Sequence, residues 1–369
     1  MSEKEIPKRN VNFDILRVLA CVLIVLAHVS SETIYAEEPG SLNWIIVHLY
    51  NSLGHTGTIL FLFLSGALLL PETYDFRPRK FYLNHFLKLF TAYYSWVVIY
   101  HIIGFIGRGQ YSAVYFKDVI INVITGDTYY HFWYLPMLLG IYLLLPALRA
   151  ICQGGKNLLI YLTVLFIIVQ LGFSTIQLFE FPHKYLFVSL MNRIPFTLIN
   201  HYAGYFFMGY LLTLLLKDHA SQKRLLRIIS VILIVSGNLL GLLGDYILSL
   251  QLGYNTVSFN EIFSVTMCMS AAGFFMLLNL IPTSECSALF SEALRKTTPL
   301  CFGVYIIHPL IWDAITDNGW LSGIFLIFRI PIRTCLCFGI TILITWLLSK
   351  IPVVRQWVIY AGKSQDRPK

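Results

Sequence analysis

Residues 13–32 read FDILRVLACVLIVLAHVSSE, an apolar run broken by three ionisable residues, Asp14, Arg17 and His28, before Glu32 closes it. A membrane-crossing helix needs about 20 mainly apolar residues, because lipid offers the backbone no hydrogen-bond partners and a helix satisfies its own. The stretch has that length. An Arg or Asp well inside a span costs about 2.5–3.5 kcal/mol on insertion scales, so such groups face a partner or a polar cavity. At 3.6 residues per turn, Arg17 and His28 are separated by about three full turns, which puts them on one face and about 16 Å apart along the axis. Asp14 precedes Arg17 by one helical turn and is spaced to pair with it.

The same pattern recurs along the chain. The protein has 369 residues, of which 57% are hydrophobic and only 12% charged, with a mean hydropathy of +0.69. Soluble domains carry about a quarter charged residues, and no water-exposed fold hides this much apolar surface. The hydropathy predicts an all-α polytopic membrane protein of ten spans, at 11–30, 45–70, 86–106, 132–150, 157–178, 196–216, 225–250, 258–281, 299–316 and 334–349. The segment 320–331 is apolar but short, which suits a re-entrant or interfacial piece. The first run is not a cleaved leader, because Asp14 and Arg17 interrupt it and no small-x-small site follows.

Charge sets the orientation. Six of the 27 Lys and Arg residues, Arg108, Lys117, Lys184, Arg193, Arg329 and Arg333, fall in one set of alternate loops. Apart from Arg17, all the others, from Lys4 to Lys369, fall in the opposite loops or at the termini. Basic loops stay cytoplasmic, so both termini are expected there and the span number is even. The net charge of +8 then reflects loops facing anionic membrane lipid and calls for no nucleic acid. The seven Cys lie mostly in predicted helices without CxxC pairs, so neither a disulfide framework nor a zinc site is indicated. No linker or repeat divides the chain, which reads as a single membrane domain over 1–369. Oligomeric state is not legible.

The stretch from Asp14 to His28, with its Arg and His separated by ten residues, resembles the opening of the acyltransferase family 3 membrane proteins. Four further segments are similar to the family in order: FLFLSG at 61–66, HFWYLPMLLGIYLLLP at 131–146, FFMGY at 206–210 and YIIHP at 305–309. Where many members carry an arginine pair before a proline, this chain has His85 and Lys88, with Thr91 in the proline's place; Arg79 and Lys80 lie nearby. The resemblance implies an O-acyltransferase of the bacterial cytoplasmic membrane that takes an acetyl group from acetyl-CoA and places it on a hydroxyl of a surface polysaccharide or lipid-linked glycan. A transporter that moves such an intermediate unchanged is the alternative.

On that reading the CoA phosphates are met by Arg17 and by Arg79, Lys80, His85 and Lys88 in the 77–88 loop. Asp14 steadies Arg17, and the thioester arm rises along a shared passage to His28. Imidazole titrates near pH 6.5 in its unperturbed state, which suits it to act as general base on the acceptor hydroxyl or as a transient acyl carrier. Trp133 and Tyr134 stand either in an acceptor pocket or in an aromatic belt, and Tyr142 with Pro146 is either a contact or a packed kink. Ser65 beside Gly66 marks a close helix approach or an oxyanion position, and His308 pairs with Tyr305 or a carboxylate. Asp245 and Glu261 flank an outer loop where they would meet sugar hydroxyls.

Overall fold

The computed structural model describes residues 9–108, 113–125, 129–193, 201–282 and 286–359, and every regular element among them is helical. In order these are α1 (Val11–Ser31), α2 (Leu42–Leu69), a short α3 (Pro78–Phe81) running through a π-turn into α4 (Leu87–Arg108), α5 (Ala113–Thr125) and α6 (Tyr134–Gln153). Next come α7 (Lys156–Phe166), continued through a π-turn into α8 (Phe173–Ile176), then α9 (Lys184–Arg193), α10 (Ala203–Asp218) and α11 (Lys223–Leu252). The chain closes with α12 (Val265–Asn279), α13 (Ala288–Thr297) leading into α14 (Cys301–Asp317), and α15 (Leu326–Leu348). Taken with their continuations, eight of these are long and apolar enough to cross a membrane.

The other two expected spans are shorter than predicted. The one placed at 258–281 begins only at Val265, because Ser258–Asn260 form a 3₁₀ turn and the Ser264 side chain caps α12 by accepting from the Thr266 N–H. Its 15 residues rise about 22 Å. The one placed at 196–216 is α10; residues 194–200 lie outside the described residues, as do Lys4, Lys8, Lys363, Arg367 and Lys369.

Two further expectations are corrected. The 77–88 segment is not a loop: Pro78 occupies the first turn behind Arg77, where its fixed φ and missing N–H suit a helix start, so Arg79, Lys80, His85 and Lys88 ride on helix. Nor is 320–331 a separate re-entrant piece, since Leu326 opens α15 and the helix runs unbroken to Leu348 through Pro331. Pro331 has no N–H to give the Ile327 carbonyl, and the Tyr50 hydroxyl donates to that oxygen instead, at 3.0 Å. Arg333 thereby moves from a loop into the span, where it is 2% exposed and paired with Glu32 at 2.5 Å.

Hydrogen bonds gather the connections into two faces of the bundle. On the face where α1 starts, Asn12 donates to the Asn279 and Ile281 carbonyls, and Arg149 donates to those of Leu69, Pro71 and Tyr74. On the opposite face Trp44 and the Glu37 carbonyl both bond Asn255, and Tyr129 donates to Asp313. Between the faces, glycines let backbones meet: a Cβ on Gly54 or Gly57 would strike the backbone of α1, and one on Gly66 or Gly209 would join α2 to α10 by collision.

Candidate active site

α1 and α2 cross where Gly54 lies on the Ala27 backbone. The next residue on each helix is a histidine, so His55 comes within electrostatic reach of His28. Asn51 secures the crossing by donating to the Ala27 carbonyl and to the hydroxyls of Ser30 and Ser31. The His28 ring stacks on that of His308 with centroids 5.1 Å apart, and packs against Tyr130 at 4.9 Å. His308 in turn lies 5.6 Å from the His131 ring, and the Tyr305 hydroxyl donates to the His131 carbonyl. Burial, then the nearby His28, pushes the His131 pKa down to about 3, so that ring is neutral at physiological pH. Histidines from α1, α14 and the turn before α6 thus lie ring against ring, with His55 of α2 within electrostatic reach of His28, yet among the described residues no group of side chains is arranged to hold a metal.

Most of the predicted residues fall into two groups. His28, His308, Tyr305 and Tyr134 belong to this cluster, Tyr134 through its ring contact with Tyr305 at 5.7 Å. Trp133 stands at its edge, 44% exposed and tilted against Tyr202. The second group surrounds the start of α1. Asp14 makes its closer contact with Arg9 at 2.5 Å and stands 4.0 Å from Arg17, a looser pairing than the spacing alone suggests. Arg17 acts electrostatically on Tyr142, whose ring packs on Phe81, and the His85 ring packs on the same phenylalanine with centroids 5.1 Å apart. Lys88 sits over the Trp357 ring, whereas Arg79 and Lys80 are exposed.

Between Arg17 and His28 the same face of α1 presents Cys21 and Ile24, which are 1% and 7% exposed. Cys21 donates to the Cys301 carbonyl of α14. The line from one group to the other is therefore packed. Ser65 turns its hydroxyl to the Phe61 carbonyl, four residues back on its own helix. Asp245 is completely buried rather than turned to a sugar: it accepts from the Phe259 N–H and lies 3.9 Å from His48. Glu261 is exposed.

Sequence reasoning alone did not single out His55, His131 and Tyr130. His55 sits between two small residues in GHTG, and His131 opens the HFWYLP block, so a polar side chain beside a close helix approach was the available signal.

Among the described residues the fold is all-helical with eight membrane-length helices, which defines a polytopic membrane protein, and a cluster of histidines and tyrosines lies at one end of α1. A family model described as an acyltransferase domain matches residues 10–350, and the chain belongs to acyltransferase family 3. It is an acyltransferase of the kind that transfers groups other than amino-acyl groups. No curated protein and no solved structure matches the chain.

Proposed function

We propose that the protein takes an acetyl group from cytoplasmic acetyl-CoA and transfers it to a hydroxyl of a surface polysaccharide or lipid-linked glycan at the outer side of a bacterial cytoplasmic membrane. The observation that carries this reading is the arrangement of α1: a loosely paired guanidinium near one face of the bundle, and an imidazole gathered among histidines and tyrosines about 16 Å further along the helix. Membership in the family does not favour the alternative of a transporter without covalent chemistry.

Arg17, with Arg79, Lys80, His85 and Lys88 on the first turns behind Pro78, would hold the CoA phosphates through charge-assisted hydrogen bonds. The pantetheine arm spans roughly the Arg17 to His28 rise, and it passes only if the packing of Cys21 against α14 and of Ile24 against α2 parts to admit it. At His28 the acceptor O–H gives its proton to the imidazole as the oxygen attacks the thioester carbon. The C–S bond then breaks, and the departing thiolate takes a proton to become the CoA thiol. Transfer through an acyl-imidazole reaches the same products in two displacements. Tyr130, Tyr134 and Trp133 border the acceptor side.

The test is transfer of label from radiolabelled acetyl-CoA to surface glycan in membranes that hold the protein. His28→Ala is expected to remove transfer by at least about a thousandfold while the chain still folds, in line with the loss of a general base. Undiminished labelling in that variant would overturn the role of His28.

A further inference from the structure

His308 is fully buried on α14, and its Nδ1 lies 3.1 Å from the Val304 carbonyl and close to that of Tyr305. Pro309 has no N–H, so it cannot serve as the helical donor to the Tyr305 carbonyl. A carbonyl oxygen only accepts. Nδ1 therefore carries the ring hydrogen, and Nε2 of the neutral ring is a bare lone pair. That lone pair is buried and has no hydrogen-bond partner among the described residues. An acceptor buried without a donor is costly, and such groups mark a place where something else supplies the bond.

The neighbour is the proposed base. The His28 and His308 rings lie 5.1 Å apart at only 27° to each other. The His28 ring nevertheless makes no hydrogen bond to Nε2 of His308, which has no partner among the described residues.

We propose that His308 positions the acceptor, its Nε2 taking a hydrogen bond from a hydroxyl adjacent to the one that His28 deprotonates. The proposal rests on the reading of His28 given above and deepens it: the bound acceptor presents a second hydroxyl beside the reacting one, as a sugar ring does, and His308 reads it. A lone pair engages a hydroxyl that keeps its proton, so His308 holds the group that does not react. No proton or acyl group passes through it.

The experiment compares His308→Leu, similar in bulk but without an acceptor, with His308→Gln, whose amide oxygen can replace Nε2. Purified protein is given radiolabelled acetyl-CoA with the endogenous glycan of membranes from cells lacking the gene. For His308→Leu we expect transfer to fall about 10- to 100-fold, the range for one lost buried hydrogen bond. The loss should lie in the KM for glycan, with the KM for acetyl-CoA within about twofold of the parent. His308→Gln should recover most of it. Full activity in His308→Leu overturns the proposal, as does equal impairment of both variants or a matching loss of acetyl-CoA affinity. His28→Ala in the same assay separates the two claims: an inactive His28→Ala beside a fully active His308→Leu leaves the acyltransferase reading standing and removes only this one.

Discussion

Arg17 makes no hydrogen bond among the described residues, and its carboxylate neighbour is closer to Arg9. A guanidinium five-donor fork so placed in an apolar helix is available to a bidentate anion such as a phosphate. Arg17→Gln is therefore expected to raise the KM for acetyl-CoA by about 10- to 100-fold, with a smaller change in kcat. Steady-state kinetics with acetyl-CoA varied checks this, and an unchanged KM would take Arg17 out of the donor site. Arg333 shows the contrasting case. Its fork is occupied by Glu32, the Trp320 carbonyl and the Ser322 hydroxyl, and its charge lies over the Trp312 ring, so it braces α15 against the end of α1 instead of binding substrate.

Elements in this bundle are positioned by what their glycines permit. Gly66 of α2 and Gly209 of α10 let two backbones touch, and neither has room for a methyl group. Gly140 of α6, by contrast, meets nothing and is exposed. Gly66→Ala should lower stability by about 1–3 kcal/mol through overpacking. Gly140→Ala should cost nothing, since alanine is the better helix former. Thermal unfolding in detergent of the two variants compares them directly. Equal midpoints would mean that α2 and α10 relax apart without loss. Because Gly54 sets the same kind of contact one residue before His55, the approach of His55 toward His28 follows from helix packing.

At the scale of the whole molecule, the two sets of connections predict a sidedness. A cysteine introduced at Asn318 should react with a membrane-impermeant maleimide in intact cells, while one at Ser221 should react only after the membrane is opened. Reversal of that pattern would invert the proposed path from donor to acceptor. Most of the helices were legible because hydropathy and length report lipid directly, and the failures have local causes. Ser264 capping α12, Pro78 starting α3 and Pro331 surviving within α15 are decided by single backbone hydrogens that a hydropathy average smooths over. At the site, Arg17 and His28 stood out as charges in an apolar run, and the periodicity of one helix placed them on one face. The partners of His28 come from three other segments, and which residues meet across helices is a property of packing that no single stretch encodes.

Cys21 and Ile24, closed between the two ends of α1, carry a consequence for the cell. A bore left standing between cytoplasm and exterior would drain the proton and sodium gradients on which the membrane depends. Here a buried thiol and a buried branched hydrocarbon occupy that line, and on the proposed path the barrier would yield only while a donor's arm fills the gap and would reseal when the spent coenzyme withdraws.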